Sequence, residues 1–105
     1  MVDRELEELK REFLTEAKAK VQEIAAMTGG PRDSESLDRL AYLAHQLKGS
    51  GGSYGYARIS DEAAEIERAV ELITTGENGD RTEATLRERT ESLQKAVDQA
   101  FADLR

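Results

Sequence analysis

The 105-residue chain has no cysteine, no tryptophan, one proline and one histidine. Without cysteine there is no disulfide framework, no thiolate nucleophile and no thiolate metal site. One histidine cannot supply the paired Glu-x-x-His motifs of a di-iron bundle, so no metal is expected. No run approaches the roughly 20 consecutive apolar residues of a membrane-spanning helix. The opening Met1-Val2-Asp3-Arg4-Glu5-Leu6 also lacks the apolar core of a signal peptide, and a cytoplasmic protein without a membrane partner is expected. Positive charge is in deficit, with 15 Lys and Arg against 22 Asp and Glu and a net charge of −7. The basic residues are interspersed with acids rather than clustered, which argues against nucleic acid and anionic membrane surfaces. Gly49-Ser50-Gly51-Gly52 lacks the preceding strand and the Lys-Ser/Thr of a nucleotide-binding loop, so neither ATP hydrolysis nor a bound cofactor is expected.

What is present is helical periodicity. A hydrophobic fraction of 38% is enough for one modest core in a chain of this length, and residues 1–105 are read as a single domain. Leu6, Leu9, Phe13, Ala17, Val21 and Ile24 recur at steps of three and four and predict a helix over about 3–27, stopped by Thr28-Gly29-Gly30-Pro31. Asp33 or Ser34 caps a second helix, about 34–54, with Leu37, Leu40, Ala41, Ala44 and Leu47 on one stripe. A third, about 60–75, is expected to open on Ser60 as N-cap and to bury Ala63, Ile66, Val70 and Ile73. It ends in a cluster where Gly76, Asn78 and Gly79 can take positive φ. The fourth, about 81–104, carries Leu86, Leu93, Val97, Ala100 and Leu104, interrupted by Thr90, with Phe101 beside them. No segment alternates with period two. The expected fold is all-α, an antiparallel up-down-up-down four-helix bundle that closes its own core and therefore a monomer.

One stretch breaks the helical economy. Between Gly49 and Gly55 four of seven residues are glycine, and each costs about 1 kcal/mol in a helix relative to Ala. One compensation is steric: Gly49, four residues after His45, leaves the imidazole unshielded on its own helix face. His45 falls at the boundary between the apolar stripe and water, with Ala41, Tyr42, Lys48 and Gly49 one turn away. Histidine keeps an unprotonated ring nitrogen near neutral pH and can attack phosphorus. Lys48 can balance the charge a phosphoryl group brings.

With those residues in place, the sequence resembles the histidine phosphotransfer domain family, the phosphocarriers of two-component phosphorelays. The signature is met by His45, Leu47, Lys48, Gly49, Ser50, Gly55, Ile59, Ser60, Ile66 and Glu67. The Gly-Gly-Ser-Tyr-Gly-Tyr segment also looks like the variant in phosphoacceptor domains of chemotaxis-type histidine kinases. The resemblance implies that His45 takes a phosphoryl group from a receiver-domain aspartate and passes it to another receiver. Lys48 and Gly49 would support the phosphate, and Gly55 and Ser60 would serve the motif's structure. Mg²⁺ and the catalytic groups would belong to the receiver, so the chain is not expected to be an enzyme in its own right. The implied partners are response-regulator receiver domains, a sensor histidine kinase, or both. Tyr42, Tyr54 and Tyr56 are the aromatic candidates for the docking surface, with core packing equally open for the last two. Glu67 is assigned no chemistry. Two other readings stand beside the carrier: an acceptor domain of a larger chemotaxis-type or hybrid kinase, and a receiver-binding module that carries no phosphate. The initial Met and the closing helix favour a stand-alone protein.

Overall fold

The computed structural model describes residues 4–77 and 79–104. Helices α1 (Arg4–Thr28), α2 (Ser34–Ser53), α3 (Ala57–Thr74) and α4 (Asp80–Asp103) follow one another, and no strand occurs among the described residues. They form a rod of 50 × 21 × 19 Å. Cross-helix pairs give the direction: Arg11 reaches the Leu104 carbonyl, Glu23 meets Arg39, His45 meets Glu67 and Glu62 meets Arg89. Rising numbers on each helix face falling numbers on the next, which is the expected antiparallel bundle. Each helix packs on its two neighbours around the ring, α2 most closely on α3 and α1 only lightly on α2. No helix among the described residues is long and apolar enough to cross a membrane.

The core is drawn from all four stripes, with Leu14, Ile24, Leu40, Leu43, Leu47, Ile59, Ile66, Val70, Leu86, Leu93 and Val97 sealed from solvent. Thr90, the polar interruption, is buried too, and its hydroxyl donates to the Leu86 carbonyl at 2.7 Å. That bond within its own helix satisfies the hydroxyl without a cross-helix partner. Leu6 and Leu9 depart from the expected stripe, at 44% and 47% exposure. α4 ends beside Arg11, where Leu104 accepts from the Arg11 guanidinium, so the first turns of α1 run past the end of the helix that would have covered them.

The helix ends explain most boundaries. Asp33 is the α2 N-cap, its carboxylate accepting from the Ser36 N–H at 2.8 Å, and that bond holds the Asp33 carboxyl below its usual pKa. The α1–α2 turn is tied by Arg32, whose guanidinium donates to the carbonyls of Met27, Thr28 and Gly30 and pairs with Glu83 on α4. Orphan carbonyls at the end of α1 are thereby satisfied by one cation. In the α3–α4 turn Gly76 takes positive φ at 78°, whereas Gly79 is the extended N-cap of α4. Asn78 and the Asp3 end of the predicted first helix lie outside the described residues.

α3 corrects the expected boundary: it begins at Ala57 with Tyr56 as N-cap, and Ser60 sits inside its first turn. Gly55, at φ 82°, reverses the chain so sharply that helix resumes within two residues. The Ser60 hydroxyl donates instead to the Lys48 carbonyl across the α2–α3 seam at 2.8 Å. Gly51 explains why that seam is tight, since a Cβ there would stand 3.1 Å from the Ser60 backbone nitrogen and 3.3 Å from Ile59 Cγ2. Gly49 has no such neighbour within 4 Å.

Gly49 and Gly51 therefore respond oppositely to substitution. Gly49→Ala is expected to stabilise the fold by about 0.5–1 kcal/mol, the helix-propensity gain at an open site. Gly51→Leu is expected to cost about 2–3 kcal/mol through overpacking against α3 backbone. Urea unfolding followed by circular dichroism reads both.

Candidate functional site

His45 lies on α2 facing solvent, its side chain 68% exposed. Its neighbour at the next inward position, Ala44, is fully buried, so the helix anchors the histidine from behind while presenting the ring. Nδ1 is 2.9 Å from Glu67 Oε2 on α3. The other carboxylate oxygen, Oε1, is 3.2 Å from Lys48 Nζ. One carboxylate thus bridges the imidazole and the ammonium across the α2–α3 seam, with its side chain 29% exposed.

The geometry sets the tautomer. A carboxylate accepts, so in the neutral ring Nδ1 carries the hydrogen and Nε2, with no partner among the described residues, has its lone pair toward solvent. An imidazole so held can act as a nucleophile at Nε2, and the carboxylate offsets the positive charge the ring acquires when Nε2 forms a bond. Lys48 lies close enough for its ammonium to turn toward an anion arriving at Nε2, since its flexible four-carbon stem lets Nζ swing about the helix surface.

The expected site residues divide into three groups. His45, Lys48 and the bare backbone of Gly49 come together on the outer face of α2. Tyr42, one turn earlier, is 52% exposed on the same ridge. Ser60 and Gly55 build the seam and turn that carry α3 past α2. Tyr54 and Tyr56 are elsewhere, at the α2–α3 turn about 13 Å along the helix axis from His45 for a rise of 1.5 Å per residue. Both rings stack on Phe13 of α1, at centroid separations of 5.0 and 5.8 Å. Burial, then the charge of Asp103, raises the Tyr56 pKa. These two tyrosines close the end of the core.

Glu67 is the residue that sequence reasoning left without a role. Its signal was its place 22 residues after His45 beside the buried Ile66, but which atom it would reach depends on how closely α3 approaches α2. The interhelix grooves lie on other faces, one between α1 and α4 at Lys18, Val21 and Gln94, another between α3 and α4 at Arg68, Leu72 and Thr85. His45 lines neither groove and its side chain is open to solvent, which suits a macromolecular partner better than an enclosed small molecule.

Among known families, the chain matches the model described as the Hpt domain over residues 8–105. No curated protein and no solved structure matches it.

The tautomer is directly measurable. Long-range ¹H–¹⁵N correlation at pH above 8 is expected to show the hydrogen of His45 predominantly on Nδ1 in the wild type. Glu67→Ala is expected to move it toward Nε2. An unchanged tautomer in that variant would separate Glu67 from the ring's electronic state.

Proposed function

The chain belongs to the Hpt domain family, and from that premise we propose that His45 is its phosphorylated residue, accepting from a receiver-domain aspartate and donating to another receiver. Hpt domains are phosphocarriers, and membership implies phosphotransfer in a phosphorelay with receiver-domain partners. The observation that carries the assignment to His45 is its ring, exposed at Nε2 and engaged at Nδ1 by Glu67. It is also the chain's one histidine.

In the proposed step the Nε2 lone pair attacks the phosphorus of the aspartyl phosphate. The bond between phosphorus and the aspartate oxygen breaks, and its electrons return to that carboxylate. No proton has to move, because Nδ1 keeps its hydrogen and Glu67 faces the cationic ring that results. The same positive ring is a good leaving group when the phosphoryl passes to the next aspartate, with the Nε2–P electrons returning to Nε2. Lys48 supplies counter-charge to the phosphoryl oxygens in both directions. Gly49 leaves room beside the ring for the partner's loops, since its own fold asks nothing of that position. The groups that activate the aspartate, and the Mg²⁺ they hold, are assigned to the receiver. A carrier and a kinase-borne acceptor domain would use this imidazole alike, and they differ only in the donor.

The deciding experiment is transfer of label from a panel of phosphorylated receiver domains to the wild type and to His45→Gln. Acid-labile, base-stable label is expected on the wild type and none on the variant, with helical content and thermal midpoint nearly equal. Gly49→Leu is expected to slow transfer about tenfold or more by crowding the ring, a misplacement effect. Lys48→Ala is expected to slow transfer or shorten the life of the phosphohistidine. Receiver binding without label on any variant would make the chain a non-carrying module.

A further inference from the structure

On the side of His45 away from Glu67, the surface is organised by a second set of contacts. At about 100° per residue, Lys48 lies about 60° from His45 toward α3, whereas Tyr42 lies about 60° and Arg39 about 120° the other way, toward α1. Arg39 is held from α1 by Glu23 through two bonds, Nε to Oε2 at 2.6 Å and Nη2 to Oε1 at 3.1 Å. The pairing lowers the Glu23 pKa and raises that of Arg39. The guanidinium carbon stands 5.6 Å from the centroid of the Tyr42 ring. From the other direction the Gln46 amide donates to the Tyr42 hydroxyl at 2.7 Å.

An exposed ion pair of this kind adds little to stability. Its two-pronged geometry does fix where the guanidinium plane lies, and a cation over one ring face with a bond at the hydroxyl fixes the tyrosine. Among the described residues Tyr42 is the most exposed large apolar side chain, and it is not part of the core cluster. Side chains one turn apart on a helix have Cβ atoms about 5–6 Å apart, so any folded partner that reaches His45 also covers Tyr42. Ordering an aromatic before contact removes part of the entropic cost of docking.

Resting on the carrier reading, we infer that Glu23 and Arg39 are positioning residues that lock Tyr42 as an aromatic anchor for the incoming receiver domain. The docking surface then runs from α3 across His45 onto α1, with Tyr42 as a knob one turn before the imidazole and Gly49 as a notch one turn after it.

The test compares two phosphodonors on one imidazole: the fastest receiver of the panel above, which must dock, and phosphoramidate, which need not. Tyr42→Ala is expected to lower kcat/KM for the receiver about tenfold more than it lowers labelling by phosphoramidate, mainly through KM, a size common for aromatic anchors. Tyr42→Phe is expected to keep most of the rate. Arg39→Lys, which retains charge but loses the fork, and Glu23→Gln are each expected to lower receiver transfer about threefold, and to have no further effect in the Tyr42→Ala background. Equal losses with both donors, or effects of Arg39→Lys that multiply with those of Tyr42→Ala, would overturn the positioning role. Label from phosphoramidate but from no receiver would overturn the carrier reading itself, and the anchor with it.

Discussion

The site depends on how closely α2 and α3 can approach. A carboxylate on one helix reaches an imidazole on the next only if the backbones stand near one another, and at Gly51 they do, with no room for an uncrowded Cβ. The Ser60 hydroxyl fastens the same seam to the Lys48 carbonyl, one turn from the histidine. Gly55 then lets the chain double back within three residues, which sets the register of α3 against α2. With that register, Glu67 arrives opposite His45 and Lys48 together. The glycines that look wasteful as helix formers are thus divided between two duties: Gly51 draws the helices together, and Gly49 keeps the outer face clear.

Electrostatics completes the arrangement. An acidic protein of net charge −7 would repel a phosphoryl group unless positive charge were placed locally. In the proposed carrier Lys48 would provide it, and Glu67 holds that ammonium beside the ring. The carboxylate occupies the α3 side of the imidazole, so the approach to Nε2 is from solvent and over the ridge of α2. That ridge also bears Tyr42, and the pair Glu23–Arg39 reaches it from α1 across the lightest helix contact in the bundle.

Much of this was legible in the sequence, because it rests on local pattern. The stripes on α2 and α4 and the stop at Gly29-Gly30-Pro31 follow from period and turn chemistry, and the bundle follows from four amphipathic helices with short connections. His45 with Lys48 and Gly49 stood out because i+3 and i+4 positions are neighbours on any helix. What was not legible depended on distances between helices. Ser60 looks like an N-cap to local rules, yet a Gly55 turn starts the helix three residues earlier and turns its hydroxyl to another helix. Leu6 and Leu9 fit the stripe by period but lie beyond the end of α4, a length mismatch that periodicity does not encode. Glu67 could be placed near the motif, but its two bonds required knowing the seam.

The bond at Nδ1 has a consequence for traffic. A ring tethered at one nitrogen and backed by a buried helix face presents the other nitrogen along a single lane, so if His45 carries the phosphoryl group as proposed, two receivers cannot be served at once. Donor and acceptor must take turns, in the double-displacement order of a ping-pong exchange. A receiver with no phosphate to give, or none to take, then becomes an obstruction simply by being docked. The abundance of idle receivers would throttle the relay as effectively as the loss of an active one.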